Sequence, residues 1–218
     1  MKNPATANTN DIILELKNID KWFGNVHAND SVSIKINKSS IHGIIGENGA
    51  GKSTLMSIVY GYYQADNGKI LVNGKEVSIN SPVQALNHGI GMVHQHFMLV
   101  EPFTVLENII LGAETGTILE NSLKSARSEL KRLEENYSLD VDPDAIVGEL
   151  PVGIRQRVEI LKALYRGANI FILDEPTGVL TPQEVEHLFK ILKSLKDQGK
   201  TIILITVFQL IVIGKNLD

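Results

Sequence analysis

The nine residues Gly46-Glu47-Asn48-Gly49-Ala50-Gly51-Lys52-Ser53-Thr54 fit the spacing G-x-x-x-x-G-K-[ST]. The apolar run Ile41–Ile45 precedes them, and a helical pattern with Leu55, Ile58 and Val59 on one side follows. Buried strand, tight loop and helix in that order are what a triphosphate requires. Several backbone N–H groups must converge on its oxygens, and glycines let the chain wrap closely without Cβ clashes. The helix starting near Gly51 turns its partially positive end toward the same point. In such a loop the backbone of Gly46, Asn48, Gly49, Ala50 and Gly51 surrounds the phosphates and Lys52 reaches the β- and γ-phosphates. Ser53 ligates Mg²⁺ and Thr54 bonds the α-phosphate. The ligand this predicts is Mg·ATP.

A second constellation lies more than a hundred residues downstream. Ile170-Phe171-Ile172-Leu173 reads as a buried strand, and it ends in Asp174-Glu175. Alone, this is an apolar strand closed by a solvated acidic turn. Beside a phosphate loop, Asp174 is placed to hold Mg²⁺ through water, and Glu175 to polarise a water attacking the γ-phosphate.

The rest of the chain predicts an α/β fold: a P-loop NTPase core with a mostly parallel sheet, an N-terminal antiparallel β subdomain and an inserted helical subdomain. Ile12–Leu16 and Ser31–Ile36 alternate with period two, as antiparallel strands do. A strand at Lys69–Val72 runs into Asn73-Gly74, a hairpin signal. Leu123, Leu130, Leu133 and Tyr137 recur at helical spacing. Thr181-Pro182-Gln183-Glu184 is a helix start, with Val185, Leu188, Phe189, Leu192 and Leu195 as core face and a last strand at Thr201–Thr206. The expected division is a polar tail at 1–10, a nucleotide-binding core at 11–83 and 167–206, a helical subdomain at 84–166 and an atypical tail at 207–218.

Composition narrows the function. The formal net charge is -4, which argues against a nucleic-acid footprint. There is no cysteine, hence no disulfide framework or thiolate metal site. The most apolar stretch, Thr201–Gly214, is shorter than the ~20 residues of a spanning helix. His94 and His96 read as polar loop residues and His42 as a packed strand residue.

Together these motifs resemble the ATP-binding subunit of ABC transporters, from about Ile12 to Thr206. Gln95, within Gly91-Met92-Val93-His94-Gln95-His96-Phe97-Met98, looks like the family's glutamine loop, which implies a place in the Mg²⁺ shell and contact with the membrane partner. Leu150-Pro151-Val152-Gly153-Ile154-Arg155-Gln156-Arg157 aligns with the family signature, so Val152 and Gly153 are expected at the nucleotide of an opposing subunit. Phe23, rather than the neighbouring Trp22, sits where the family stacks an aromatic ring on adenine. Gly178-Val179-Leu180-Thr181 occupies the segment that communicates across the ATPase dimer.

The runs Val93–Val100, Pro102–Asn108 and the signature region through Ala163 resemble ATPases of simple-sugar and nucleoside importers, the nucleoside branch most closely. That resemblance implies transmembrane permease subunits, a second ATPase cassette and, indirectly, an extracytoplasmic solute-binding protein. It also implies a peripheral place on the cytoplasmic face of the cell membrane. The subfamily carries two cassettes in one chain, and this sequence is expected to be truncated within its first.

Two positions depart from the family. Pro151 replaces the signature serine, removing a hydroxyl and an N–H, although Gly153 is expected still to offer its amide. The loss of one charge-assisted bond costs ~1.5–3 kcal/mol, roughly ten- to a hundredfold in turnover. Val207 stands where the family places a histidine against the γ-phosphate, and no histidine follows His187. Arg155 replaces a glutamine. The expectation is ATP binding with weak hydrolysis; a catalytically dead ATP-gated subunit, a vestigial fragment or a non-transport ABC ATPase are the alternatives.

Overall fold

The computed structural model describes residues 11–95, 97–113 and 119–206. The expected polar tail, His96, Val207 and the rest of the tail at 207–218 lie outside the described residues. The N-terminal half runs β1 (Ile12–Phe23), β2 (Val26–Asn37), β3 (Ile41–Ile45), α1 (Lys52–Val59), β4 (Asn67–Val72), β5 (Lys75–Val77), α2 (Pro82–Asn87) and β6 (Ile90–Val93). It continues with α3 (Val105–Ile110), α4 (Leu119–Tyr137), α5 (Val152–Tyr165), β7 (Ile170–Asp174), α6 (Pro182–Asp197) and β8 (Thr201–Thr206).

Two four-stranded sheets organise these elements. One, in the order β2-β1-β4-β5, is antiparallel. Its β4–β5 turn has Asn73 and Gly74 both at positive φ, 50° and 75°, the backbone an Asn-Gly hairpin favours. The other, in the order β3-β8-β7-β6, is parallel.

The parallel sheet is covered on both faces, which is why β7 reads as an unbroken apolar run. Ile170 and Ile172 join Ile203, Ile205, α1 residues Leu55, Met56, Ile58 and Val59, and antiparallel-sheet residues Leu14, Leu16 and Ile19 in one core. Phe171 and Leu173 point the other way, into a second core with Val158, Leu161 and Leu164 of α5 and Leu188, Leu192 and Leu195 of α6. The capping box at Thr181–Glu184 with Pro182 starts α6 where the sequence places it, and Thr104–Glu107 repeats the device at α3.

Two features differ from the sequence reading. Ile90–Val93 lies in the span expected to be helical, yet it is a strand paired with β7, at Ile90↔Ile170 to Val93↔Leu173. Four apolar residues are too few for periodicity to separate helix from strand. β3 was expected to be buried, but it pairs with β8 alone among the described residues, and Ile41 and Ile45 are 38% and 44% exposed.

Candidate nucleotide-binding site

The C-terminal ends of the parallel strands bring the candidate residues together, the edge at which open α/β sheets bind ligands. Ile45 pairs with Thr206, and Asp174 with Ile205, so the phosphate loop after β3 and the acidic end of β7 stand at one level. Their contact is direct: Ser53 Oγ donates to Asp174 Oδ1 at 3.2 Å across 121 residues of sequence. Oxygen donors at this spacing suit a hard cation such as Mg²⁺. Burial pushes the Asp174 carboxyl above its ordinary range and the Glu175 charge adds to this, against the Ser53 hydroxyl and the Lys52 ammonium. A cation held here would favour the charged form.

The loop is braced from within. The Lys52 ammonium, 9% exposed, donates to Gly46 O at 2.8 Å and Glu47 O at 2.7 Å, which uses two of its three donors. Gly51 begins α1 at φ 79°. A Cβ there would stand 2.1 Å from Ala28 O, so the antiparallel sheet presses on the loop where only glycine fits. Asn29 Nδ2 donates to Gly51 O at 3.1 Å across the same junction. Glu175 takes φ 46°, a left-handed conformation that costs a non-glycine residue about 1–3 kcal/mol, and its N–H donates to Ile205 O at 3.0 Å.

The Leu150–Arg157 segment forms the turn into α5. Pro151 is the N-cap, at φ −56° and ψ 153°, and supplies no side-chain bond to the helix. Arg155 reaches back over this turn: Nε donates to Leu150 O at 2.9 Å, Nη2 to Gly148 O at 2.6 Å, and Nη1 approaches Glu101 Oε1 at 3.4 Å. A cation in the first turn of a helix opposes the dipole by about 0.3–1 kcal/mol. Two charge-assisted bonds to carbonyls, at about 1.5–3 kcal/mol each, outweigh that. Gln156, buried at 4%, donates to Pro176 O at 2.8 Å and so ties α5 to the residue after Glu175.

Gly153 is crowded by the start of α6. A Cβ at this position would lie 2.6 Å from Glu184 Oε1, so glycine admits the carboxylate. Bonds from the Thr181 amide and hydroxyl, then from the Gly153 N–H, hold the Glu184 carboxyl below its ordinary range. The Glu184 carboxylate therefore lies beside the residue expected to face an opposing nucleotide.

The comparisons with known proteins agree with this geometry. The profile of the ABC transporter family matches residues 29–178. The chain belongs to the ABC transporter family. It is 52% identical over 197 residues to the nucleoside import ATP-binding protein NupA of Lactococcus lactis subsp. cremoris, covering 90% of this chain and 39% of that protein. It is 50% identical over 193 residues to the guanosine import ATP-binding protein NupO of Bacillus subtilis, covering 88% and 38%. The chain therefore spans about two fifths of the length of these curated relatives. Among solved structures, the ADP conformation of MJ1267, an ATP-binding cassette of an ABC transporter, superposes with a TM-score of 0.79 at 32% identity, covering 90% of this chain and 81% of that chain.

On this ABC fold the remaining sequence candidates are spread more widely. Gln95 follows β6, which lies beside β7, and it is exposed; among the described residues the Ser53–Asp174 bond does not include it. Phe23 ends β1, 42% exposed, edge-on to Tyr63 at 5.1 Å, while Trp22 stacks on His27 at 3.7 Å. Val152 and Val179 are exposed at 38% and 62%. Sequence reasoning missed Asn29 and the bond of Gln156. A polar residue framed by apolar ones on a helix face was the available signal for Gln156. A cavity of about 270 Å³ between Tyr60, His94, Met98, Glu159 and Arg166 lies away from the phosphate loop. For nucleotide binding the converging loop geometry outweighs that cavity.

Proposed function

We propose that this chain binds Mg·ATP and is the ATP-hydrolysing subunit that energises import of a nucleoside or simple sugar through a separate membrane permease. The observation that carries the reading is the Ser53–Asp174 bond, which joins the phosphate loop to the acidic strand end. In this reading the backbone of Gly46, Asn48, Gly49, Ala50 and Gly51, with Lys52 and Thr54, binds the phosphates, and Phe23 stacks on adenine. Ser53, Asp174 and Gln95 hold Mg²⁺, which supplies charge neutralisation on the phosphate oxygens. Glu175 orients the attacking water and accepts its proton. The names of NupA and NupO, a nucleoside and a guanosine importer, support the solute class. A second cassette, bringing Val152 and Gly153 to the nucleotide, and transmembrane permease subunits are the partners. An extracytoplasmic solute-binding protein acts through the permease, and the site of action is the cytoplasmic face of the membrane.

Turnover in this chain is low in the same reading, because phosphoryl transfer is mostly positioning and electrostatic stabilisation. Pro151 brings no hydroxyl to the signature turn. Pro151 also favours a second reading, an ATP-gated subunit without chemistry. Steady-state ATP hydrolysis by the parent chain and Glu175→Gln separates the two. Weak turnover that disappears in the variant is expected, and robust turnover in the parent overturns the impaired reading. No turnover in either protein, with ATP bound by both, selects the ATP-gated reading.

A further inference from the structure

Helix electrostatics gives no reason for a cation at Arg155, and the surroundings supply one. The turn that leads into α5 has no side-chain cap, because Pro151 has neither hydroxyl nor N–H. Its carbonyls at Gly148 and Leu150 face inward to the guanidinium. The 3₁₀ turn at Val147–Glu149 is laid against Glu101 and Phe103: Gly148 N–H donates to Glu101 O at 2.9 Å and Val147 N–H to Phe103 O at 3.0 Å. A Cβ at Gly148 would be 3.1 Å from Glu101 O, so the two backbones are nearly in contact. The third arm of Arg155 points to the Glu101 carboxylate on that same segment.

We propose that Arg155 is a positioning residue that sets the Leu150–Gly153 turn from behind by holding its carbonyls, at a helix start where position 151 supplies no hydroxyl cap. One planar fork does this because it reaches the Gly148 and Leu150 carbonyls and the Glu101 carboxylate together. A lysine ammonium, a single point on a flexible stem, does not bridge them. The turn is thereby fixed to the segment that follows Gln95, so the orientation of Val152 and Gly153 is set relative to that segment. The value of the turn to ATP chemistry rests on the proposed function above; the role of Arg155 in holding it does not.

Amide hydrogen exchange on the full chain tests this, in the parent, Arg155→Gln, Arg155→Lys, Pro151→Ser and the Arg155→Gln/Pro151→Ser double variant. The reporters are Val147, Gly148, Leu150 and Ile154, whose N–H groups all have backbone partners. Arg155→Gln should speed exchange at these four by about tenfold, the factor that follows from losing roughly one charge-assisted bond. Exchange in β7 and α1 and the affinity for Mg·ATP should stay within about twofold, because those elements do not touch the guanidinium. Lysine should fail to restore protection, and serine at 151, whose hydroxyl accepts from the first helical N–H groups, should recover it at Ile154 alone in the double variant. Unchanged exchange at the four amides overturns the proposal, as does equal acceleration across the whole chain. Recovery of all four amides by serine at 151 would show that the carbonyl bonds do not hold the turn and overturns the proposal. Undiminished ATP affinity in Lys52→Ala with these results intact would strike the phosphate-loop assignment and leave Arg155 untouched.

Discussion

β7 and β3 are both five residues long, and both end in a loop proposed to touch nucleotide. β7 lies between β6 and β8, and its first four residues are buried. β3 pairs with β8 alone among the described residues, and its residues alternate between exposed and half-buried. The difference separates two ways of holding chemistry. Asp174 is delivered by a strand locked into two cores, so its place is a property of the whole fold. The phosphate loop is held by local devices: the two bonds of Lys52, the close approach of Ala28 to Gly51, and Asn29. Damage to β7 should unfold the chain, whereas damage at β3 and its loop should spare the fold and strike the ligand.

The largest test of that contrast is Phe171→Ala. Phe171 is fully buried in the core shared with α5 and α6, and its removal should cost about 3–5 kcal/mol by denaturant unfolding. A cost under about 1 kcal/mol would mean that the sheet interior is not the rigid part. Next comes Gly51→Ala. The new methyl meets Ala28 O and the residue keeps a left-handed backbone, so about 1–3 kcal/mol of strain should appear, together with weaker Mg·ATP binding measured by calorimetry. Binding equal to the parent would show that the junction with Ala28 does not shape the loop.

Ile45→Ala sharpens the comparison from the other side. With the side chain nearly half exposed, its truncation should cost about 1 kcal/mol, well below the figure for Phe171. Parity between the two would erase the distinction between the strands. The smallest effect is a pH dependence at Glu184. Its carboxyl is held below 4.5, chiefly by the Thr181 amide. A carboxyl lowered on folding adds stability that is complete above its unfolded value and lost as pH falls through its folded value. Glu184→Gln should therefore lower stability most near pH 7, with the difference from the parent shrinking below about pH 4.5, so that the acid limb flattens. An unchanged acid limb would remove Glu184 from the account.

Much of this was legible in residues and much was not. The phosphate loop, Asp174-Glu175, the Asn73-Gly74 hairpin and the Thr181–Glu184 helix start could be read because each is a short-range pattern in which backbone geometry dictates residue type. The cover over β3 could not be read, since an Ile-rich run looks the same at a sheet edge as at its centre. β6 was too short to declare its period. The partners of Arg155 and Glu184 were invisible for another reason. Both bond to backbone groups, which carry no residue signature, and Glu184 already had an evident local role as a cap. Pro151 was visible as a departure, but its consequence depended on contacts from Glu101 and α6 that only the fold supplies.

The central claim is that the loop from Gly46 to Thr54 binds Mg·ATP through Lys52. The direct measurement is thermal unfolding of the parent chain and Lys52→Ala, each with and without Mg·ATP at about a hundred times the parent's Kd. The parent should gain about 2.7 kcal/mol of apparent stability from a ligand that binds only the folded state, and the variant should gain almost none. Equal gains in the two proteins, or none in the parent at millimolar nucleotide, would contradict the claim.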